Sequence, residues 1–121
     1  MFINLDIGTS SVKGTLIDDS GKISYKSSQK YSLKGLEENY RELDVDEIWS
    51  AVEKVIRHLS QNNKTSLVRG IIVTSLGEAI VLVDQKGNPL MRSIVGSDPR
   101  GVDEFKWLCE RINPEEISNI T

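Results

Sequence analysis

The sequence has 121 residues, of which 38% are hydrophobic and 27% are charged, as expected for a globular domain with one core. A formal net charge of −3 and thinly spread lysines exclude the basic stripe of a nucleic-acid binder. The single cysteine excludes an intrachain disulfide, and no apolar run approaches the roughly 20 residues that span a bilayer. The sequence therefore predicts a cytoplasmic protein with no nucleic-acid or membrane partner.

The start of the chain predicts an antiparallel meander of three strands. Apolar and β-branched residues mark strands at 2–7 and 12–17, and a loosely alternating third strand spans 22–31. The small polar residues at 8–11 and the turn-forming residues at 18–21 separate these strands.

The next segment carries the strongest helix signal. Asp44 can cap a helix, and Glu47 three residues later completes a capping-box arrangement. Apolar residues then recur at helical spacing, namely Val45, Ile48, Trp49, Val52, Val55, Ile56 and Leu59. The polar residues 32–43 predict a loop before the helix. We expect the helix to cross one face of the sheet and to bury its apolar stripe there.

The second half of the chain predicts further strands and helices. Extended segments are expected at 68–74, 79–84 and 91–95, and helices at 101–112 and from 113 onward. Three antiparallel strands, a crossover helix and further strands, flanked by helices, make an α/β fold with a mixed sheet.

A turn rich in hydrogen-bond donors follows the first strand, and its residues are Gly8, Thr9, Ser10 and Ser11. Its backbone N–H groups and hydroxyls can form an anion nest, and Lys13 adds a positive charge. The strand ends in a carboxylate, Asp6, which can hold Mg²⁺ through water molecules. From these residues alone, a phosphate site and a plain hairpin turn with a surface lysine both stay open. A P-loop is excluded, because the GxxxxGK[ST] pattern is absent.

Four stretches resemble one protein family. The run DIGTSSVKG at residues 6–14 resembles the first phosphate motif of the FGGY carbohydrate kinases, which belong to the actin-like, ribonuclease-H-like ATPases. Residues 42–49 are similar to the acidic segment and tryptophan-bearing helix of these kinases. Residues 74–87 resemble their sugar-site loop and next hairpin, and residues 94–100 resemble their IxWxDxR segment. The resemblance covers essentially the whole chain.

The resemblance implies ATP-dependent phosphorylation of a hydroxyl on a sugar or polyol, with a pentulose, a hexulose or a sugar acid as the expected substrate. In this family Asp6 would help to hold Mg²⁺. The residues implied to contact the phosphates of ATP are Gly8, Thr9, Ser10, Ser11 and Lys13. The residues implied to contact the substrate are Gly77, Glu78, Asp98 and Arg100.

Several departures from the family pattern leave the identity of the substrate open. Leu76 stands where the family often has glutamine. Gly77 and Glu78 stand where glycerol kinases tend to have an Arg-Glu pair and xylulokinases a Met-His pair. Gly96 replaces the usual tryptophan of the IxWxDxR segment, so an aromatic wall of the sugar pocket is missing or comes from elsewhere.

Two pairs of residues have two interpretations each. Asp98 and Arg100 contact the substrate or form an ion pair that braces their loop. Trp49 and Trp107 pack in the core or lie at the seam with a region outside this chain.

The resemblance also implies a missing part. The general base of the family is an aspartate much later in the chain, and the pocket for the nucleotide base lies in a second domain, so both would fall beyond Thr121. Asp84, Asp98 and Asp103 do not match that base. We therefore expect residues 1–121 to be the amino-terminal part of a two-domain kinase, with the carboxy-terminal kinase domain as its partner. Alone, this part is expected to bind ATP weakly, if at all, and not to turn over; homodimerisation stays open.

Two other interpretations of the sequence remain. The first is a non-enzymatic actin-like filament or scaffold module that uses the same nucleotide turn. The second is an α/β domain with an ordinary hairpin. The Glu78 loop and the segment from Asp98 to Arg100 favour the kinase, because a filament protein has no need of a sugar site.

Overall fold

A four-stranded mixed sheet forms the centre of the computed structural model, which describes residues 1–35, 39–61 and 68–120. In chain order the elements are β1 (Phe2–Ile7), β2 (Ser11–Ile17), β3 (Ile23–Lys30), β4 (Glu42–Leu43), α1 (Val45–Gln61), β5 (Gly70–Ser75), β6 (Ser93–Ile94), α2 (Val102–Cys109) and α3 (Pro114–Ile120). The strand order in the central sheet is β3-β2-β1-β5. Among the described residues, no helix is long and apolar enough to cross a bilayer.

The sheet confirms the predicted meander and crossover. β1 pairs antiparallel with β2, and β2 pairs antiparallel with β3. The chain then passes through α1 and returns as β5, which pairs parallel with β1. A parallel neighbour requires such a crossover, because the chain must return to the same end of the sheet before it can run in the same direction.

The core lies between α1 and one face of the sheet. Its buried members are Ile3, Leu5, Val12, Leu16, Tyr31, Leu43, Ala51, Val52, Val55, Leu59 and Val95. Gly14 permits the close approach of the helix, since a Cβ atom there would lie 2.4 Å from Val55 Cγ1 and 2.9 Å from Leu59 Cδ1. The sheet and helix therefore interlock at a position where only hydrogen fits.

The predicted cap of α1 is in place. The Asp44 carboxylate accepts hydrogen bonds from the backbone N–H groups of Asp46 and Glu47, at 3.1 and 3.2 Å. The Glu47 carboxylate lies 3.2 Å from Lys34 Nζ, so it serves an ion pair rather than the other half of a capping box. The prediction of a helix start at this point is confirmed.

Three sequence predictions about local structure are wrong. Residues 79–84 form no strand and make only isolated bridges, because no strand of the central sheet lies beside them. Within the predicted loop 32–43, of which 36–38 lie outside the described residues, Glu42 and Leu43 form β4 and pair with β6. The helix predicted at 101–112 is present as α2, but its predicted end is wrong, because it stops at Cys109.

The two tryptophans lie outside the core. Trp49 is 63% exposed and Trp107 is 56% exposed, so the prediction that they pack in the core of this chain is wrong. Their placement at a seam with another region stays a prediction.

Candidate active site

The register between β1 and β5 brings two loops together. Ile7 lies opposite Ser75 at the ends of these parallel strands. The turn that starts at Gly8 and the loop that starts at Leu76 therefore leave the sheet at the same edge. In open α/β sheets, ligands bind beyond the carboxyl ends of the strands.

A cleft of about 340 Å³ opens at this edge. It is lined by Thr9, Leu76, Glu78, Ala79, Val95, Gly96 and Ser97. Thr9 comes from the predicted phosphate turn and Glu78 from the predicted sugar loop. The volume lies in the range of roughly 300–1,000 Å³ that is usual for small-molecule sites. The cleft thus joins one residue from each half of the predicted site.

The phosphate turn is held from its own backbone and from β3. The Gly8 N–H donates to the Ser11 carbonyl at 3.0 Å, and the N–H of Tyr31 donates to the Ser10 carbonyl at 3.0 Å. The Tyr31 hydroxyl donates to the Gly8 carbonyl. Burial, and then the negative charge of Asp6, raise the pKa of Tyr31, so its hydroxyl stays protonated and can donate at neutral pH.

Asp6 and Lys13 lie on the other face of the sheet from α1. They are direct partners in the register of β1 and β2, and both are exposed, whereas their neighbours Leu5 and Val12 are buried against α1. Lys13 does not line the cleft and borders a separate surface depression on β2 and β3. Because Lys13 lies outside the cleft, the cleft gives no support to the prediction that Lys13 contacts phosphate.

The donor set at Asp6 fits Mg²⁺ in only one way. Among the described residues, no group of three or more His, Cys, Asp or Glu side chains could enclose a metal ion. A single exposed carboxylate suits an Mg²⁺ ion that keeps several waters and is shared with substrate phosphates. Asp6 could contribute to such a shared site but not to an all-protein cage.

Asp98 and Arg100 form a brace beside the cleft. The Asp98 side chain is 1% exposed and accepts four hydrogen bonds: from Arg100 N, Nε and Nη2 at 2.7–2.9 Å and from Arg41 N at 2.6 Å. These hydrogen bonds, chiefly from the Arg100 side chain, hold the pKa of the Asp98 carboxyl well below its usual range. All lone-pair positions of the carboxylate are used within the protein, so the geometry favours the brace over substrate contact.

The brace extends to the wall of the cleft. Arg100 Nη1 lies 2.8 Å from Glu42 Oε1, and the guanidinium stacks 4.0 Å from the centre of the Tyr40 ring. The Asp98 N–H donates to the Val95 carbonyl at 2.9 Å. The segment that carries Val95 into the cleft is therefore tied to β4 and to the residues before it.

Gly96 lies directly against Glu78. A Cβ atom at Gly96 would be 3.4 Å from Glu78 Cβ and 3.7 Å from Glu78 Cγ. Any larger residue would thus meet the stem of the Glu78 side chain at this wall. Gly77 is exposed and does not line the cleft.

The whole chain, residues 1–121, matches the profile of the FGGY family of carbohydrate kinases, N-terminal domain. The chain belongs to the FGGY family of carbohydrate kinases. The family membership predicted from the motifs is therefore confirmed.

Individual relatives of this FGGY chain include proteins named as xylulose kinases. A probable L-xylulose kinase of Pasteurella multocida is 29% identical over 118 residues, which cover 96% of this chain and 24% of the relative. A xylulose kinase of Staphylococcus epidermidis is 31% identical over 121 residues, which cover 95% of this chain and 24% of the relative. The chain thus spans about a quarter of the length of the curated relatives it matches.

Solved structures confirm the predicted fold. The crystal structure of xylulose kinase from Rhodospirillum rubrum superposes with a TM-score of 0.86 at 30% identity, over 94% of this chain and 24% of that one. The ribonuclease-H-like mixed sheet expected from the motifs is therefore present in this FGGY chain.

The structure brings together some of the predicted site residues and adds one that sequence reasoning missed. Thr9 and Glu78 share the cleft of this FGGY chain, with Gly8, Ser10 and Ser11 in the adjoining turn. Tyr31 was predicted only as the end of a strand. In the structure it lies one residue beyond the pairing of Lys30 with Ser11, which brings it beside the turn, and no motif in the sequence marks it.

Proposed function

We propose that the chain is the amino-terminal part of an ATP-dependent carbohydrate kinase that phosphorylates a hydroxyl of a sugar or polyol, such as a pentulose, a hexulose or a sugar acid. The observation that carries this proposal is the cleft shared by Thr9 and Glu78. Phosphoryl transfer requires the donor phosphate and the acceptor hydroxyl to be held close together and in line. The turn that would hold the phosphates and the Glu78 carboxylate that would bind substrate hydroxyls open into one cleft, and this arrangement meets that requirement.

Different residues of this chain would bind the phosphates, the Mg²⁺ ion and the substrate. The Thr9 N–H and the hydroxyls of Thr9, Ser10 and Ser11 would face the phosphates of ATP, and Gly8, which has no side chain, would leave room for them to approach the turn. Asp6 would hold Mg²⁺ together with phosphate oxygens, and the ion would neutralise phosphate charge. The Glu78 carboxylate would accept hydrogen bonds from substrate hydroxyls. Such bonds are stronger to a charged acceptor than to a neutral one.

The general base is proposed to come from a part of the protein that follows residue 121. The carboxylates of Asp98 and Asp84 are already occupied by hydrogen bonds within the chain. Asp98 accepts four hydrogen bonds, and the Asp84 carboxylate accepts three, from Lys86 N, Asn88 N and Asn88 Nδ2, at 2.8 Å each. Asp103 forms an exposed ion pair with Lys106 at 3.0 Å. None of the three has the free, cleft-facing carboxylate that proton abstraction requires.

An unpaired edge of the sheet supports the existence of such a further part. Among the described residues, β5 pairs with β1 and with no strand on its other side, and Ile71, Ile72 and Val73 are 50–55% exposed on both of its faces. Native proteins rarely leave a long apolar edge strand uncovered, because it pairs readily with other chains. We propose that the second part of the kinase covers this strand.

The test is phosphorylation of a panel of pentuloses, hexuloses, sugar acids and polyols by the longer polypeptide that contains these residues, with ADP formation as the readout. At least one substrate is expected to give turnover that depends on both ATP and Mg²⁺. Residues 1–121 alone are expected to give none. Absence of activity across the whole panel would contradict the proposed function. The filament alternative offers no use for the cleft at Glu78.

A further inference from the structure

Tyr31 holds the phosphate turn from its buried side. We infer that Tyr31 is a positioning residue, which aims the backbone N–H of Thr9 at a phosphate in the cleft. This inference rests on the proposed function only in taking the ligand of the turn to be a phosphate. Tyr31 itself is 7% exposed and belongs to the core, so it does not face the ligand.

The contacts of Tyr31 immobilise two peptide units of the turn. Its hydroxyl donates to the carbonyl of Gly8, and its own N–H donates to the carbonyl of Ser10 at 3.0 Å. The Gly8 N–H in turn donates to the carbonyl of Ser11 at 3.0 Å. One residue from the end of β3 therefore sets the orientation of the peptides on both sides of Thr9 and Ser10.

The direction of the Thr9 N–H follows from the rigidity of the peptide bond. The described residues contain no cis peptide, and in a trans peptide the C=O and the N–H point in opposite directions. Because the Gly8 carbonyl points at the buried hydroxyl of Tyr31, the Thr9 N–H points the other way, toward the exposed side. Thr9 lines the cleft, and no described residue accepts a hydrogen bond from its N–H.

This orientation matters because the residues of the turn are not themselves packed in the core. Gly8 lacks a Cβ atom and has a wide choice of backbone conformations, and Thr9 and Ser10 are exposed. Donors that are fixed in advance bind a charged group without the cost of ordering them on binding. The single phenolic hydrogen bond thus links the packed core to the phosphate site.

The test compares Tyr31→Phe with wild type in the full 121-residue chain. The variant keeps the ring and the backbone N–H bond to Ser10 and loses only the hydroxyl. Pyrophosphate is titrated into ¹⁵N-labelled protein, and the Thr9 and Ser10 amide resonances report binding. We expect a dissociation constant raised roughly three- to tenfold, the size of one neutral hydrogen bond. Tyr25→Phe is the matched control, because Tyr25 lies exposed on β3, and it should bind as wild type does.

The outcomes are distinct. Binding by Tyr31→Phe that equals wild type would overturn the inference, and so would a wild-type chain whose Thr9 amide does not respond to pyrophosphate. Loss of binding together with loss of the folded amide spectrum would also overturn it, since Tyr31 would then be a core residue only. If the longer polypeptide phosphorylates nothing while pyrophosphate binding still depends on Tyr31, the proposed function fails and the role of Tyr31 stands.

Discussion

Two strands of the central sheet, β2 and β5, contain similar apolar residues but differ in whether another element packs on them. On β2, Leu16 is fully buried beneath α1. On β5, Ile72 is 54% exposed, although it belongs to an equally apolar run. An apolar strand thus becomes a core strand only when another element of the same chain packs on it. The cleft lies on the border between these regions, with the phosphate turn tied to the covered side and the Glu78 loop following the uncovered strand.

The largest effect is expected when apolar side chains are removed from the two regions. Leu16→Ala should lower the free energy of unfolding by about 2–5 kcal/mol, because it leaves a cavity in the core. Ile72→Ala in the same chain should cost less than about 1 kcal/mol, because half of that side chain is already in water. Urea denaturation measures both. Equal losses would remove the contrast between the regions.

An intermediate effect is expected where α1 presses on β2. Gly14→Ala places a methyl group where Val55 and Leu59 already lie, so unfolding should become easier by about 1–3 kcal/mol. Gly77→Ala is the matched control on the uncovered side, since a Cβ atom there meets nothing within 4 Å. A Gly14→Ala chain as stable as the Gly77→Ala chain would mean that the helix does not pack closely on the sheet.

A pH-dependent effect is expected from the brace at Asp98. The pKa of this carboxyl is lower in the folded chain than the value of about 3.9 expected after unfolding. The charged carboxylate therefore stabilises the fold above that unfolded value, and this stabilisation is lost as the pH falls through the folded pKa. The difference in unfolding free energy between wild type and Asp98→Asn should be largest near neutral pH and should decrease below about pH 4. A difference that stays constant into acid would contradict the brace.

The covered side of the fold was also the part that could be predicted from the sequence. The strands around Leu5 and Leu16 and the helix capped by Asp44 have strong periodicity and a clear start signal, and all are present. Residues 79–84 were predicted to be a strand on apolar content alone, which does not reveal whether a neighbouring strand exists. β4 is too short to leave a periodic pattern.

The candidate site, like the fold, could be predicted only in part from the sequence. Thr9 and Glu78 could be singled out because each lies in a short motif, and the parallel register of β1 and β5 then brings them into one cleft. Tyr31 could not, because its role depends on a contact between distant parts of the chain rather than on its neighbours in sequence. The brace between Asp98 and Glu42 through Arg100 likewise requires two distant segments to meet.

The most direct test of the shared cleft is the kinetics of Glu78→Ala in the longer kinase that we propose, with Glu53→Ala on the exposed side of α1 as the matched control. Loss of a charged hydrogen-bond acceptor should raise the KM for the sugar by about tenfold or more. The KM for ATP should change by less than about twofold, because the phosphates bind at the Thr9 turn. An unchanged sugar KM, or an equal rise in both constants, would contradict the account.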